Sequence, residues 1–490
     1  METETADVIV VGGGGSALAA AAEAAKLGRS VILLEKNPSL GGSTAWSVGS
    51  VSASNTPHQR KAGIKDSPDE HFEDLGKFAG PLEHRDNLVL RRVLVDNATD
   101  TFDWLLENGL VFLGPALEPP HRYPRMHNVV PSSKAYPYHL GRLCRRLGVD
   151  IRLSLRARKL MEVSGRATGV LACDGQGRER MFRAQRGVVL ATGDFSGARE
   201  LKLRFASSSA ADSDAVNVTN TGDGHLMALE LGATVVNGDL VHGPIMRFVP
   251  PARPSVIARI PAYTLVARAA TLAMAHAPKQ LVRPVLMSFV TTALGPDPGL
   301  YRAGARLVNL RGERFTSELD KPALALVTQP EGVGYIMLDS AIASRFSAWP
   351  HFVSTAPNVA YAYLPDYKRN RRDIYHEGTD VPALARRLNM DASALAHSLH
   401  AEELDRPTLS QPPYIALGPV KSYVVLTEGG LKVTERHEVV GGNGSPIPGL
   451  FAAGSTGQGG LLLYGHGHHL AWAFVSGRRA GRHAALTLAT

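Results

Sequence analysis

Two cysteines, Cys144 and Cys173, are all that the 490 residues contain. They cannot form a disulfide framework, and neither has the paired spacing of a zinc site, so a reducing, cytoplasmic setting is expected. Long apolar runs are missing too: no stretch of about 20 residues is both uncharged and strongly hydrophobic, so no membrane-spanning helix is expected. No basic start, apolar stretch and cleavage pattern precedes the strand-like run at Asp7. Without a Cys-x-x-Cys-His for haem attachment, no electron relay is carried in the chain. Helix-turn-helix, finger and aromatic-interleaved basic patterns are absent, which sets nucleic acid aside despite a net charge of +8. Acidic residues are missing locally: Leu240–Pro296 holds no Asp or Glu but carries Arg247, Arg253, Arg259, Arg268, Lys279 and Arg283.

What is present is an ordinary globular balance, 44% hydrophobic and 20% charged residues. The length exceeds the ~250–300 residues that one core supports, so two domains are expected. Asp7-Val-Ile-Val-Val11 is a β-branched run suited to a buried parallel strand. Gly12-Gly-Gly-Gly15-Ser16-Ala17 follows, then an Ala-rich helical segment to Leu27, a stop at Gly28, and a second apolar strand, Val31–Leu34, ending at Glu35. Strand, glycine turn, helix and strand in about 30 residues is the Rossmann unit. Gly12 allows the tight turn, Gly14 lets the backbone approach a diphosphate, and Ala17 is the small residue for helix–strand packing. The helix N-terminus, at Gly15 and Ser16, faces the diphosphate, and Glu35 faces ribose hydroxyls.

The continuation resembles the fumarate reductase and 3-ketosteroid dehydrogenase flavoproteins over most of the chain. Lys36 and the segment Gly41-Gly42-Ser43-Thr44-Ala45-Trp46-Ser47 match the stretch that runs along the flavin and ribityl chain in that superfamily. Further matches are Gly187–Gly193 with Thr192 and Gly193 at its turn, Asn220-Thr-Gly-Asp223-Gly224, and Gly449–Gly454. A Gly/His loop with Gly467 and a helix from Leu470 complete the series. The resemblance implies FAD as cofactor. It also implies an α/β fold: a Rossmann-like FAD-binding domain with an inserted α+β capping domain. The expected division is 1–236, a cap over 237–409, and the FAD-binding remainder over 410–490. Ser43 stands where the succinate dehydrogenase branch carries its flavin-linking histidine, so the FAD is expected to be non-covalent.

In the cap, Gly312-Glu-Arg-Phe-Thr-Ser-Glu318 resembles the family's Gly-x-Arg-Phe-x-x-Glu signature, whose Glu belongs to a proton-delivery chain in fumarate reductases. The arginine acid of that chain falls near Ile342, with Arg345 three residues on. Two dicarboxylate ligands fall near Val425-Leu426 and Tyr464. A fumarate site needs several cations for two desolvated carboxylates, so these departures argue against fumarate or succinate. The loop Leu461-Leu-Leu-Tyr464-Gly-His466-Gly-His468-His469 resembles instead the substrate loop of ketosteroid dehydrogenases. There a tyrosine helps hold the substrate ketone, and a tyrosine base three or four residues after the cap Glu is replaced here by Lys321 and Pro322. Tyr464, His466 and Glu318 are the candidate catalytic residues, and no metal is expected.

The reading is therefore an FAD-dependent desaturase acting beside a ketone in a cyclic apolar substrate, reoxidised by an external acceptor or oxygen. Its rival is a reductase of an activated double bond, an enone or enoate. The acid-free segment, with helical stretches at Tyr263–Ala277 and Leu281–Leu294, is expected to be cap surface with solvated arginines. A second reading of it is weak association with the inner face of a membrane.

Overall fold

The computed structural model describes every residue except 1–2, 252–258, 277–282, 284–286, 288–289, 293, 357–359, 402–405 and 490. The β-branched run becomes strand β1 (Thr3–Val11), in which Val8, Ile9 and Val10 are fully buried. Alanine has the highest helix propensity, and the Ala-rich segment forms helix α1 (Gly15–Lys26), followed by strand β2 (Val31–Leu34). β1 pairs in parallel with β2 and with Glu179–Leu190. Asp150–Arg152 extends the parallel set beyond β2, and Pro446–Ala452 extends it beyond Glu179–Leu190. The C-terminal end of the chain thus returns to the sheet its N-terminus began.

The C-terminal helix His468–Leu486 packs on α1 with unusual closeness. A Cβ at Gly477 would fall 2.4 Å from the Ser16 carbonyl oxygen, and one at Gly481 would fall 2.1 Å from that of Ala20. Only glycine at both places lets the two backbones meet, which fixes the start of the C-terminal helix relative to the Gly-rich turn.

A second sheet is centred on Tyr414–Val424. It pairs antiparallel with Val333–Leu338, Ile245–Phe248 and Tyr375–Gly378, and in parallel with Asp214–Ala215. Arg306–Asn309 adds to Val333–Leu338. A separate apolar cluster covers this sheet, drawing on residues from Phe248 to Val420, including Leu307, Ile336, Leu395 and Leu417. Its central strand lies C-terminal to the expected division after Leu409. A strand paired on both sides is hard to assign from sequence, because every partner is remote.

Where the chain leaves for this second unit and returns from it, two short antiparallel ladders lie in succession: Val235–Val236 with Gly430–Leu431, and Val241–His242 with Leu426–Thr427. The helix expected at Tyr263–Ala277 is found at Thr264–His276. It leans on the first unit through Thr264 Oγ1 to the Gly109 carbonyl, 2.8 Å, and through His139 Nε2 with the Ala262 carbonyl, 2.8 Å. Leu265 and Leu272 on it are exposed. One cation of the acid-free segment, Arg283, is compensated from outside it, by Asp366 at 2.5 Å. Arg253, Lys279 and most of Leu281–Leu294 lie outside the described residues. No helix among the described residues is long and apolar enough to cross a membrane.

Candidate active site

The glycine turn is shaped by its neighbours. Gly12 has φ +118°, and a Cβ there would sit 2.2 Å from the Ala191 carbonyl oxygen. Gly14 is different: a Cβ would meet nothing closer than 3.8 Å, so its side is open. It caps α1 with no side-chain hydrogen bond and no acidic residue in the first turn. The positive end of the helix dipole is therefore uncompensated beside an open glycine, which is what a diphosphate requires. Gly15 N–H donates to Thr44 Oγ1 at 3.0 Å, and Gly41 N–H donates to the Gly13 carbonyl at 2.9 Å. Those bonds bring Gly42, Ser43 and Thr44 against the turn. Ser43 Oγ accepts from the Asn217 and Asn220 amides at 2.8 and 2.9 Å.

Glu35 is buried, and its Oε1 accepts from the Asn37 N–H and side-chain amide. Burial raises its carboxyl above the ordinary value, only partly offset by those bonds. Lys36 and Asp223, both expected at the cofactor, pair with each other at 3.0 Å, and Arg156 joins Asp223 at 2.7 Å. Thr192 Oγ1 accepts from Gly224 N–H at 3.1 Å, and Thr192 N–H donates to Thr456 Oγ1 at 2.9 Å. A Cβ at Gly193 would meet Asn220 Oδ1 at 3.1 Å, and one at Gly454 would meet Ser16 Oγ at 2.6 Å. Gly467, at φ +89°, begins the C-terminal helix, and Leu470 is buried on it. Ser16 and Ala17 are buried on α1 beneath it. The expected cofactor residues thus converge from five segments of the chain, and the groups present suit an FAD.

The expected catalytic residues separate. Tyr464 is half-buried with its ring stacked on His242, centroids 4.8 Å apart at 27°. Burial raises its phenol pKa first, and the Glu428 charge raises it further, against Arg85. His466 is exposed and pairs with Glu118 at 2.5 Å, which raises its pKa. Glu318 lies wholly in the second unit. Among the described residues it accepts from Leu307 N–H at 3.0 Å, from Arg314 at 2.9 Å and from Arg406 at 2.6 Å. Among the described residues, no side-chain hydrogen bond, ion pair or ring contact joins Glu318 or His466 to the Tyr464 side chain.

Three other residues are there. The ladder at the crossing between the units sets His242 against Glu428, Nε2 to Oε1 2.6 Å, and His469 Nε2 lies 3.3 Å from the same oxygen. Gln458 Nε2 hydrogen bonds to the other oxygen, Oε2. Glu428 has no exposed surface. Burial alone would raise its carboxyl, but the charge of His469 and the hydrogen bond from His242 outweigh it and hold it well below the usual range. The ligand atoms of the trio lie within 4.8 Å of one another. Two ligands of one tetrahedral zinc stand about 3.3 Å apart, so the 2.6 Å between His242 and Glu428 is the spacing of a hydrogen bond and not of two ligands on one ion. Sequence reasoning missed this trio. The loop pattern includes His469, but nothing in the sequence links it to Glu428 or either of them to His242.

The FAD binding domain family matches residues 7–464. The chain belongs to that family. It binds FAD and is an FAD-dependent oxidoreductase. Among curated relatives, a probable fumarate reductase, Ifc3, of Shewanella frigidimarina is 26% identical over 99% of this chain and 75% of its own. The vinyl phenol reductase of Lactiplantibacillus plantarum is 26% identical over 98% of this chain and 97% of its own. The open conformation of a flavocytochrome c3 fumarate reductase aligns with a TM-score of 0.72 at 25% identity, covering 98% of this chain and 78% of that one. A 3-ketosteroid-Δ4-(5α)-dehydrogenase from Rhodococcus jostii shares the fold, with a TM-score of 0.59 at 24% identity over 98% and 97%. The flavoprotein superfamily and its α/β fold are those expected from the motifs.

Proposed function

We propose that this flavoprotein reduces a carbon–carbon double bond conjugated to a carbonyl on a small, uncharged substrate, drawing electrons from an external donor. The observation that carries the reading is a phenol kept protonated at Tyr464 beside a carboxylate shared by two imidazoles. A raised phenol pKa suits a hydrogen-bond donor and not a base. Tyr464 O–H polarises the substrate carbonyl and supports the negative oxygen that develops as the β-carbon gains hydride. Bound flavin, once reduced by the external donor, would supply that hydride. The α-carbon then needs a proton, and His242, stacked on Tyr464 and hydrogen-bonded to Glu428, stands beside the phenol to relay one. Ile342, Val425-Leu426 and Tyr464 stand where the resemblance places cations for a dicarboxylate, and none of them is a cation, which disfavours fumarate.

The same groups run in reverse describe desaturation beside a ketone, the reading that the Tyr464 loop itself favours. That direction needs a base strong enough for an α-proton. Pro322 carries no proton acceptor and Lys321 is an exposed side chain at the helix start, so the tyrosine base of the ketosteroid dehydrogenases has no counterpart at these positions. One experiment separates the directions. Anaerobic enzyme reduced by dithionite is mixed with cyclic enones, enoates and fumarate, and oxidised enzyme is mixed with cyclic ketones. Reoxidation of the flavin by enones, with little response to fumarate, is expected. Bleaching of oxidised flavin by ketones, with no reoxidation by enones, would reverse the reading.

A further inference from the structure

On the inner side of the Tyr464 loop three imidazoles from distant segments are buried together: His71 of helix Pro68–Ala79, His121, and His468 at the start of the C-terminal helix. Their ring centroids are 5.2–5.7 Å apart, and their nitrogens lie within 4.8 Å of one another. Spacing alone would admit a metal, but the donor set forbids it. Arg125 has only donors, and its Nη1 is 2.8 Å from His121 Nδ1. Nδ1 of His121 therefore carries the lone pair, and in the neutral ring Nε2 carries the proton. That Nε2 faces His468 Nε2 at 3.2 Å, which must accept. The proton of His468 is then on Nδ1, donated to the Tyr464 carbonyl at 2.6 Å. No lone pair is left at His121 for a metal.

What remains is a one-way chain of hydrogen bonds. Arg125 is fully buried and anchored by Asp66 at 2.6 and 2.7 Å and by Asp74 at 2.7 Å. Asp74 in turn takes the N–H of Arg122 and the ammonium of Lys77. The far end is the Tyr464 carbonyl, one residue before Gly465 at φ +88° and three before Gly467 at φ +89°. A loop with two glycines in the left-handed region has little backbone stiffness of its own. The carbonyl and the ring belong to the same residue, so fixing the carbonyl limits where the ring stacks on His242.

We propose that Arg125, His121 and His468 are positioning residues, which set the Tyr464 phenol by holding its own main-chain carbonyl. The proposal rests on the reading of Tyr464 given above. Burial keeps the two imidazoles of the chain uncharged: His121 is lowered to about 2 and His468 to about 4. The hold on the carbonyl therefore does not change with pH in the neutral range. His71, Lys77, Arg122, Arg125, Asp74, Glu118 and His469 are the titratable groups facing these rings. None of them replaces the donors in the chain.

Two variants at one position separate positioning from bulk. His121→Gln keeps an acceptor for Arg125 and a donor for His468, whereas His121→Leu keeps only volume. Holoenzyme labelled with 15N-histidine and 3-fluorotyrosine is expected to show His121 as the Nε2–H tautomer and His468 as the Nδ1–H tautomer. The Tyr464 fluorine resonance, assigned by its loss in Tyr464→Phe, should shift and broaden in His121→Leu and return in His121→Gln. With a reducible enone, kcat should fall about 10- to 100-fold in His121→Leu with KM little changed, and recover in His121→Gln. A wild-type His121 with its proton on Nδ1, or a Tyr464 resonance unmoved in His121→Leu, overturns the proposal; the tautomer measurement needs no variant to fold. If the resonance responds as expected while Tyr464→Phe turns over normally, the positioning chain stands and the donor role of Tyr464 falls.

Discussion

Adjacent residues at the start of the C-terminal helix meet opposite surroundings. His468 faces inward to the neutral His121 ring, and His469 faces the ionised Glu428. Sequence reading grouped both as histidines of one loop, because neighbours in sequence share composition while burial is decided by which way each side chain leaves the backbone. Tyr464→Phe removes the donor proposed for the carbonyl, and a single such donor is worth about 10²–10³ in kcat. The expected outcome is a loss of that order in steady-state reduction of an enone, with the flavin absorbance of the purified protein unchanged. Glu428→Gln tests the electrostatics separately. The carboxylate is one of the charges that raise the Tyr464 phenol, so its removal should lower that pKa. A fluorotyrosine titration reads the shift, and an unchanged midpoint would mean that Glu428 does not sense the ring. Tyr464 itself was legible because it sits in a loop with a recognisable pattern. Its partners were not, since His242 and Glu428 meet only through pairing of strands 186 residues apart.

At the scale of elements, β1, α1 and β2 could be read directly because each is contiguous and each pairs with its neighbour in the chain. The second sheet could not, as its strands come from Asp214–Ala215 through Tyr414–Val424 and its order depends on remote pairing. Within the legible unit, two glycines that look alike in sequence should behave differently. Gly12→Ala places a Cβ 2.2 Å from a backbone oxygen at a φ of +118°, and should cost at least about 2 kcal/mol of stability. Gly14 has an ordinary φ of −79° and open space beside it. Gly14→Ala should therefore leave apoprotein unfolding within about 1 kcal/mol of wild type. The methyl would occupy the side where the backbone must approach a diphosphate, so FAD binding should weaken about tenfold or more. Chemical denaturation of the apoprotein and fluorescence titration with FAD measure the two quantities independently. Equal effects of both variants on both measurements would show that the open side of Gly14 is not the cofactor's.

Across the whole molecule, the net charge of +8 matters less for partners than the uncharged histidines in the interior. His121, His127, His225, His437 and His468 are all buried, with pKa values lowered to about 2, 4, 4, 3 and 4. In the unfolded chain each returns to about 6.5. Above that value both states are neutral and stability is complete. Between about 6.5 and 4 the unfolded chain takes up protons that the folded chain refuses, so stability falls as pH falls, by ~1.4 kcal/mol per pH unit for each histidine. Buried carboxyls with raised pKa values, Glu35, Asp86 and Asp194, act in the opposite direction and offset part of the slope. Five histidines together lose ~7 kcal/mol per unit, the size of a typical folding free energy. The melting temperature should therefore drop steeply between pH 6.5 and 5 and stay level from 7 to 8. His437 isolates one contribution: among the described residues neither of its ring nitrogens has a hydrogen-bond partner, and its ring packs on Trp472 at 5.4 Å. His437→Phe keeps the ring and removes the titration, so its loss of stability per pH unit should be shallower by about one proton's worth. A wild-type melting temperature that does not change from pH 7 to 5, or a His437→Phe slope equal to it, would show that these imidazoles are protonated in the folded protein.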